Sequence, residues 1–303
     1  MRVLVSGSTG LIGSALMPAL RAGGHGVIRL VRPGSRAGAD AVVWDPASGK
    51  LDSAALEGAD AAIHLAGENI AAHRWTTAEK QRIMNSRAQG TRLLCETLAA
   101  LTVPPQVVVS ASAIGIYGER GDDLLDESQP AGKGFLCEVV REWELATLPA
   151  SRQGIRVVNL RFGIVLSPKG GSLAELLPLF RIGIGGPLAG GRQYFSWVTI
   201  QDVVRVLQFA LTTDALSGPV NTVAPNPVRQ RDFARVLGRV LHRPSWVDVP
   251  RAALHLRLGK ELAESLLWSQ RVAPRKLLDA GYSFEYPELE AGLKSLLGKS
   301  GSS

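Results

Sequence analysis

A chain of 303 residues that is 46% hydrophobic and 20% charged has enough apolar material for a large core, as one elaborated domain or two that share an interface. Its 34 basic against 27 acidic side chains give a net charge of +7. The basic residues are scattered and no RNA- or DNA-binding signature accompanies them, so solvated surface plus an anionic cofactor accounts for the charge, and no nucleic acid is expected as a partner. The two cysteines, Cys95 and Cys137, each lie in an apolar helical pattern, which points away from disulfides and cysteine metal sites and toward a reduced, cytoplasmic protein.

The first core strand begins at Arg2 and leaves no room for a signal peptide. Val3-Leu4-Val5-Ser6 runs into Gly7-Ser8-Thr9-Gly10-Leu11-Ile12-Gly13, an apolar strand feeding a G-x-x-G-x-x-G turn that opens a helix over about Leu11 to Arg21. Each glycine has a physical task in a dinucleotide-binding turn. The first permits the sharp turn, the second lets a pyrophosphate approach bare backbone, and the third lets helix and strand pack closely. The helix then points its unpaired N–H groups at the phosphates.

A second strand, Gly26 to Val31, ends about 19 residues after Gly13, where NAD enzymes place an acid for the ribose 2′-hydroxyl. Arg32 stands there instead, with Arg36 four residues on. Paired guanidinium hydrogen bonds suit a 2′-phosphate, so NADP(H) is the expected cofactor. Next come a short strand, Ala41 to Trp44, and a buried one, Ala61 to Gly67. A long helix from about Thr77 to Leu101 carries the apolar stripe Ile83, Arg87, Thr91, Leu94, Leu98, Leu101. A guanidinium on that stripe needs a partner, either an ion pair, for instance with Glu138, or a group in the cleft.

The uncharged stretch Thr97 to Gly118 has the length of a membrane span, but Pro104-Pro105-Gln106 breaks it into a helix end, a turn and the strand Gln106 to Val109, so no membrane is expected. A helix from about Phe135 to Leu148 and the strand Ile155 to Leu160 complete the alternation. The predicted fold is α/β, a Rossmann-like doubly wound parallel sheet over residues 1–160 with a returning segment near 195–225. Residues 161–194 and 226–297 form a smaller, mainly helical C-terminal substrate lobe, and 298–303 a frayed tail. Small-molecule chemistry at the carboxyl ends of the strands, with the protein a monomer or homodimer, is the expectation.

Three stretches resemble the extended short-chain dehydrogenase/reductases of the NAD(P)-dependent epimerase/dehydratase superfamily: Gly7 to Gly13, His64-Leu65-Ala66-Gly67, and Ser110-Ala111-Ser112-Ala113-Ile114-Gly115-Ile116-Tyr117-Gly118. The chain is similar above all to an atypical branch, the "epimerase family" proteins whose bacterial members are sometimes labelled cell-division inhibitors. That likeness rests on Arg74-Trp75, Ser86-Arg87, Trp143-Glu144, Arg161 to Leu166, Ser196-Trp197, Asp202 and Asn221, and spans residues 1 to about 290. It implies cofactor contacts from Leu65, Ala66 and Gly67 and, near the nicotinamide end, from Arg161, Gly163 and Ile164; Arg87, Ser110 and Ala111 are further candidate cofactor contacts and Trp197 a candidate substrate contact, while Glu68 and Asn69, at the carboxyl end of the strand, are either polar substrate contacts or solvated loop residues.

The larger family uses a Ser or Thr, a Tyr, and a Lys four residues after that Tyr, which lowers its pKa and holds the nicotinamide ribose. Ser112 fills the first role. Phe135 and Val139 stand where the Tyr and Lys belong, and both read as core-facing. Tyr117, on the loop leaving the strand, is the substitute expected to face the cleft. His64, inside a buried strand, reads as a satisfied core histidine. Two functions follow from these residues: an NADP(H)-dependent oxidoreductase or isomerase acting on a small carbonyl or alcohol, or an NADP(H)-binding sensor with little or no turnover.

Overall fold

The computed structural model describes residues 1–35 and 38–298. In chain order these form β1 (Arg2–Ser6), α1 (Leu11–Ala22), β2 (Gly26–Val31), β3 (Ala41–Asp45), β4 (Lys50–Leu51), β5 (Ala61–His64), α2 (Thr77–Ala99), β6 (Val107–Ala113), β7 (Leu124–Leu125), α3 (Phe135–Leu145) and α4 (Leu148–Arg152). There follow β8 (Arg156–Phe162), β9 (Ile164–Leu166), α5 (Gly171–Arg181), β10 (Tyr194–Phe195), β11 (Trp197–Thr199), α6 (Ile200–Thr212), β12 (Gly218–Thr222), β13 (Val228–Arg229) and α7 (Gln230–Leu241). The chain closes with α8 (Arg251–Leu258), α9 (Lys260–Leu266), β14 (Arg271–Val272), α10 (Arg275–Asp279) and α11 (Leu289–Leu297).

Strand-helix alternation produces the expected sheet: eight strands in the order β12-β8-β6-β5-β1-β2-β3-β4, parallel except for the β3/β4 pair. Val3 and Val5 face a core shared with α1 and α6. Leu4 points to the opposite face, where α2 brings Leu94 and Leu98. Period-2 strand geometry thus gives one apolar run two buried faces, as a doubly wound sheet requires. Each of these fully buried side chains contributes roughly 1.5–3 kcal/mol. Two helix starts carry hydroxyl caps, Thr76 Oγ1 accepting from Glu79 N at 3.2 Å and Thr199 Oγ1 from Asp202 N at 3.1 Å.

Boundaries differ from expectation where the sequence punctuates. β6 runs on to Ala113, and β12 occupies a sheet edge although Pro219 sits inside it. An edge tolerates the missing N–H, and the Glu127 carboxylate covers part of that edge by accepting Asn221 N at 2.9 Å. α5, α7 and α11 build a second core around Leu173, Phe180, Phe233 and Leu293. That lobe is tied to the sheet through Asp202, a fully buried carboxylate that accepts Glu285 N at 2.8 Å and Tyr286 N at 3.1 Å. Among the described residues no helix is long and apolar enough to cross a membrane.

Candidate cofactor and substrate site

The glycine turn behaves as its residue types require. Gly7 holds φ +68°, and a Cβ there would lie 2.7 Å from the Leu65 carbonyl carbon, while a Cβ on Gly13 would lie 2.2 Å from Gly7 O. Gly10 differs: its nearest neighbour is Gly7 O at 3.4 Å, and the space beyond is open. Gly10 caps α1 without a side-chain hydrogen bond, and no acid occupies the first turn. The N-terminal N–H groups and the positive end of the helix therefore face a cradle shaped for an anion. Ser8 is buried in the turn, Thr9 is exposed, and Leu11 and Ile12 are half-buried beside it.

The loop after β5 closes against this turn through Ser6. Its Oγ accepts Leu65 N at 3.1 Å and Ala66 N at 3.3 Å, and lies 2.7 Å from His64 Nδ1. With both lone pairs engaged, Ser6 donates its proton to Nδ1. His64 is then neutral with its hydrogen on Nε2, which donates to Thr91 Oγ1 at 2.9 Å. Burial pushes the His64 pKa down to about 4 from its usual 6.5.

Because the unfolded chain takes up that proton first, His64 stabilises fully above pH 6.5, and the contribution, up to roughly 3 kcal/mol, is lost as pH falls toward 4. The His64 ring proton resonances, followed by NMR in the folded protein, should show no titration down to pH 5. A midpoint near 6.5 would contradict the buried-neutral assignment.

Arg32 directly follows β2 and pairs with Glu68 at 3.5 Å, with the two side chains 77% and 48% exposed. An ion pair so open to water is worth no more than about 1 kcal/mol, so Arg32 is available to a ligand phosphate. Arg36 lies outside the described residues. Gly67, Glu68 and Asn69 are exposed at the rim, where Asn69 Oδ1 accepts Ala71 N at 2.9 Å.

Arg87 does not pair with Glu138. Its Nη2 donates to Glu68 O at 2.9 Å, its Nη1 to Ile83 O at 3.3 Å, and its guanidinium lies 5.0 Å from the Trp143 ring centre. The geometry excludes the acid because Glu138 is exposed on α3, whereas Arg87 reaches back over the β5 loop.

The expected catalytic pair is corrected most. Tyr117 is fully buried instead of facing the cleft. Its OH lies 2.8 Å from Asn221 Oδ1 and 3.0 Å from Asp126 O, and accepts Arg161 Nη1 at 3.0 Å. Burial raises its pKa against the pull of Arg161. Ser112, 2% exposed, donates to Glu144 Oε1 at 2.6 Å. The half-exposed residue ending β6 is Ala113, which carries no hydroxyl.

Glu144 also accepts Arg161 Nε at 2.8 Å and Nη2 at 2.8 Å, a bidentate pair inside the packing. Burial opposes the Arg161 charge, and Glu144 overcomes it and holds the pKa above the ordinary arginine value. Arg161 is therefore engaged with protein and does not line an open cofactor cleft.

The remaining expected contacts divide between packing and rim. Ser110 is fully buried and Ala111 belongs to the core. Gly163 is needed because a Cβ would lie 2.5 Å from Ser196 O, and Ile164 is half-buried on β9. Trp197, expected to contact substrate, is fully buried, with Nε1 donating to Asn226 O at 3.2 Å. Val139 is 1% exposed, as a core residue should be. Phe135 is half-buried instead, its ring 5.1 Å from that of Trp75 and 5.2 Å from Lys80 Nζ.

Glu144 and Asn221 escaped the sequence reading of the site, although an arginine inside the apolar run Val157 to Leu166 signals a buried acid partner.

Comparison with known proteins places this geometry. The model for the NAD dependent epimerase/dehydratase family matches residues 3–223. The chain belongs to that family. A second model, a domain of unknown function, matches residues 249–296. "Epimerase family protein Mb2239" of Mycobacterium bovis is 44% identical over 284 residues, covering 94% of this chain and 93% of the relative. "Epimerase family protein YfhF" of Bacillus subtilis is 33% identical over 301 residues, covering 98% of each. The crystal structure of human epimerase family protein SDR39U1 (isoform 2) with NADPH superposes with a TM-score of 0.90 at 34% identity, covering 99% of this chain and 100% of that one. The atypical branch of the epimerase family expected from the sequence is therefore the one to which this chain is similar.

Proposed function

We propose that this epimerase-family chain binds NADP(H) across the carboxyl ends of β2, β1 and β5, and acts as an oxidoreductase or isomerase on a small carbonyl or alcohol. The observation that carries the reading is the pairing of an open glycine cradle at Gly10 with a weakly engaged Arg32 where an acid would select NAD(H). The NADPH in the human relative supports it. The turn Gly7 to Gly13 and the N-terminus of α1 hold the pyrophosphate, Arg32 the 2′-phosphate, and Leu65 to Gly67 line the passage between. The cofactor supplies or takes up a hydride.

Tyr117 and Ser112 direct their polar atoms to protein partners, so in this reading the proton that accompanies the hydride comes from water, while Glu68 and Asn69 at the rim contact the substrate. The free, buried Cys95 and Cys137 suit a reducing compartment, the cytoplasm.

The test is cofactor choice. Charge-assisted bonds from Arg32 at roughly 1.5–3 kcal/mol each give an expected preference for NADPH over NADH on the order of 10- to 100-fold. Arg32→Ala should remove most of that preference by weakening NADPH alone, read by titrating cofactor fluorescence. Equal affinities in the wild type, or a preference unchanged in the variant, would overturn the assignment.

A further inference from the structure

We propose that the substrate is a flat, apolar carbonyl compound, an aryl ketone or a quinone, held against the rings of Trp75, Phe135 and Trp268, and is not a sugar. This rests on the carbonyl-or-alcohol reading above and adds to it the chemical class of the substrate.

The first observation is where three aromatic side chains meet. In a parallel sheet each crossover helix begins at the carboxyl end of the strand before it. Here Glu68 N, in the loop after β5, donates to Ser86 Oγ of α2 at 3.2 Å, and a Cβ on Gly115, just past β6, would lie 3.8 Å from Leu136 Cβ of α3. The first turns of α2 and α3 therefore stand over the carboxyl ends of β5 and β6. Trp75, just before α2, meets Phe135, the first residue of α3, edge to face with ring centres 5.1 Å apart. Trp268 approaches the same helix start, since a Cβ on Gly134 would lie 3.7 Å from its ring. All three side chains are half-buried, so apolar ring surface stays open there.

Sheet order brings the reacting end of the cofactor to this corner. β2 lies on one side of β1, and β5 followed by β6 on the other. A dinucleotide with its pyrophosphate on the β1 turn and its 2′-phosphate beside β2 extends its nicotinamide over β5 and β6.

The second observation is the company the rings keep. The C-terminal lobe closes over them: Arg74 donates to Leu256 O of α8, and Lys80 Nζ pairs with Glu261 of α9 at 2.6 Å while lying 5.2 Å from the Phe135 ring centre. Polar side chains that reach the turn after β6 are bonded to protein. Gln270 Nε2 donates to Ile114 O and Gly118 O, each at 3.0 Å, and Ser196 Oγ donates to Gln270 O at 2.7 Å and accepts Val272 N at 2.9 Å. A sugar needs a partner for every hydroxyl it buries, and this corner offers ring faces and edges instead. An aryl ring can pack on them and leave its carbonyl at the wet rim. There the carbonyl carbon takes the hydride from NADPH, its π pair moves to oxygen, and that oxygen takes one proton from solvent water. The ketone becomes an alcohol, or the quinone a hydroquinone, and NADP⁺ is left.

Paired ketones test the class. Methyl phenyl ketone and cyclohexyl methyl ketone share a carbon skeleton and differ in whether the ring is flat and aromatic. In calorimetric titrations with and without saturating NADPH, the wild type should favour the phenyl ketone roughly three- to tenfold, and UDP-glucose should not displace it. Phe135→Leu keeps apolar volume without the ring, and should bring the two ketones within about twofold of each other while NADPH affinity stays within about twofold of wild type. Phe135→Tyr, which keeps the ring, should retain the preference. Equal or absent binding of the two ketones by the wild type would overturn the proposal, as would displacement of the phenyl ketone by UDP-glucose. So would a preference that survives both Phe135→Leu and Trp268→Leu, or an equal loss of both ketones and NADPH in Phe135→Leu, the signature of a packing residue. A wild-type protein that bound no NADPH would overturn the function proposed above, and the ketone preference measured without cofactor would still decide the ring contacts.

Discussion

A Gly10→Val protein is expected to fold as the wild type does and to bind no NADPH. Gly10 has φ −73° and ψ 178°, ordinary extended values for any residue, and its missing side chain faces open space. Valine at a helix N-cap costs a fraction of a kcal/mol to about 1 kcal/mol, too little to unfold the domain. Its two methyl groups would occupy the volume that a pyrophosphate must enter. Gly13→Val makes the contrast, because its Cβ would collide with Gly7 O and the Ser8 backbone and should destabilise the turn itself. Circular dichroism and a thermal melt report the fold, and fluorescence titration the ligand. A folded Gly10→Val protein with NADPH affinity within threefold of wild type would remove the cradle from the site.

Glu144→Ala should lose roughly 3–5 kcal/mol of stability, because it leaves the buried Arg161 guanidinium without its counter-charge. Ser112→Ala removes one charge-assisted hydrogen bond from the same carboxylate and should lose roughly 1.5–3 kcal/mol. Urea unfolding of both variants gives the comparison. A loss below about 1 kcal/mol for Glu144→Ala would mean that Arg161 finds water or another partner. Both effects arise in the ligand-free protein, which separates this network from residues that act only through the cofactor.

The glycine turn of the candidate cofactor site was legible in the sequence because its geometry is set by the backbone. Gly7, Gly10 and Gly13 are identifiable from type and spacing, and the register Ser6↔Leu30 puts the ends of β1 and β2 side by side as an apolar strand pattern predicts. His64 was legible for a similar reason, since a histidine inside an apolar strand must be satisfied locally.

The surroundings of Tyr117, Ser112 and Trp197 were not legible, because they depend on where long side chains reach. Tyr117 and Ser112 are of the right types on the right strand end, yet their orientation is set by Asn221, 104 residues from Tyr117, and by Glu144, 32 residues from Ser112. Trp197 belongs to the same class: its burial follows from a core assembled by α5, α7 and α11, whose sequence separation hides it. Arg87 stood on the predicted stripe, but a stripe gives a direction and not a partner, so the carbonyl of Glu68 could not be chosen over the carboxylate of Glu138.

The buried Asp202 bears on the order in which a growing chain completes itself. During synthesis the whole sequence of the sheet has emerged once β12 is made, and by then Asp202 already stands in the first turn of α6, its N–H donated to the Thr199 cap. The backbone donors that satisfy its carboxylate, Glu285 and Tyr286, arrive only near the end. Until they do, only the Thr199 hydroxyl at 3.1 Å and water can donate to that carboxylate. The two family matches end at residue 223 and resume at 249, and α7 of the second core lies between them. The bonds from Glu285 and Tyr286 to Asp202 join the two matched segments. A nascent chain halted there would hold a finished strand order around an unsealed interior, the form that cellular proteases and chaperones recognise.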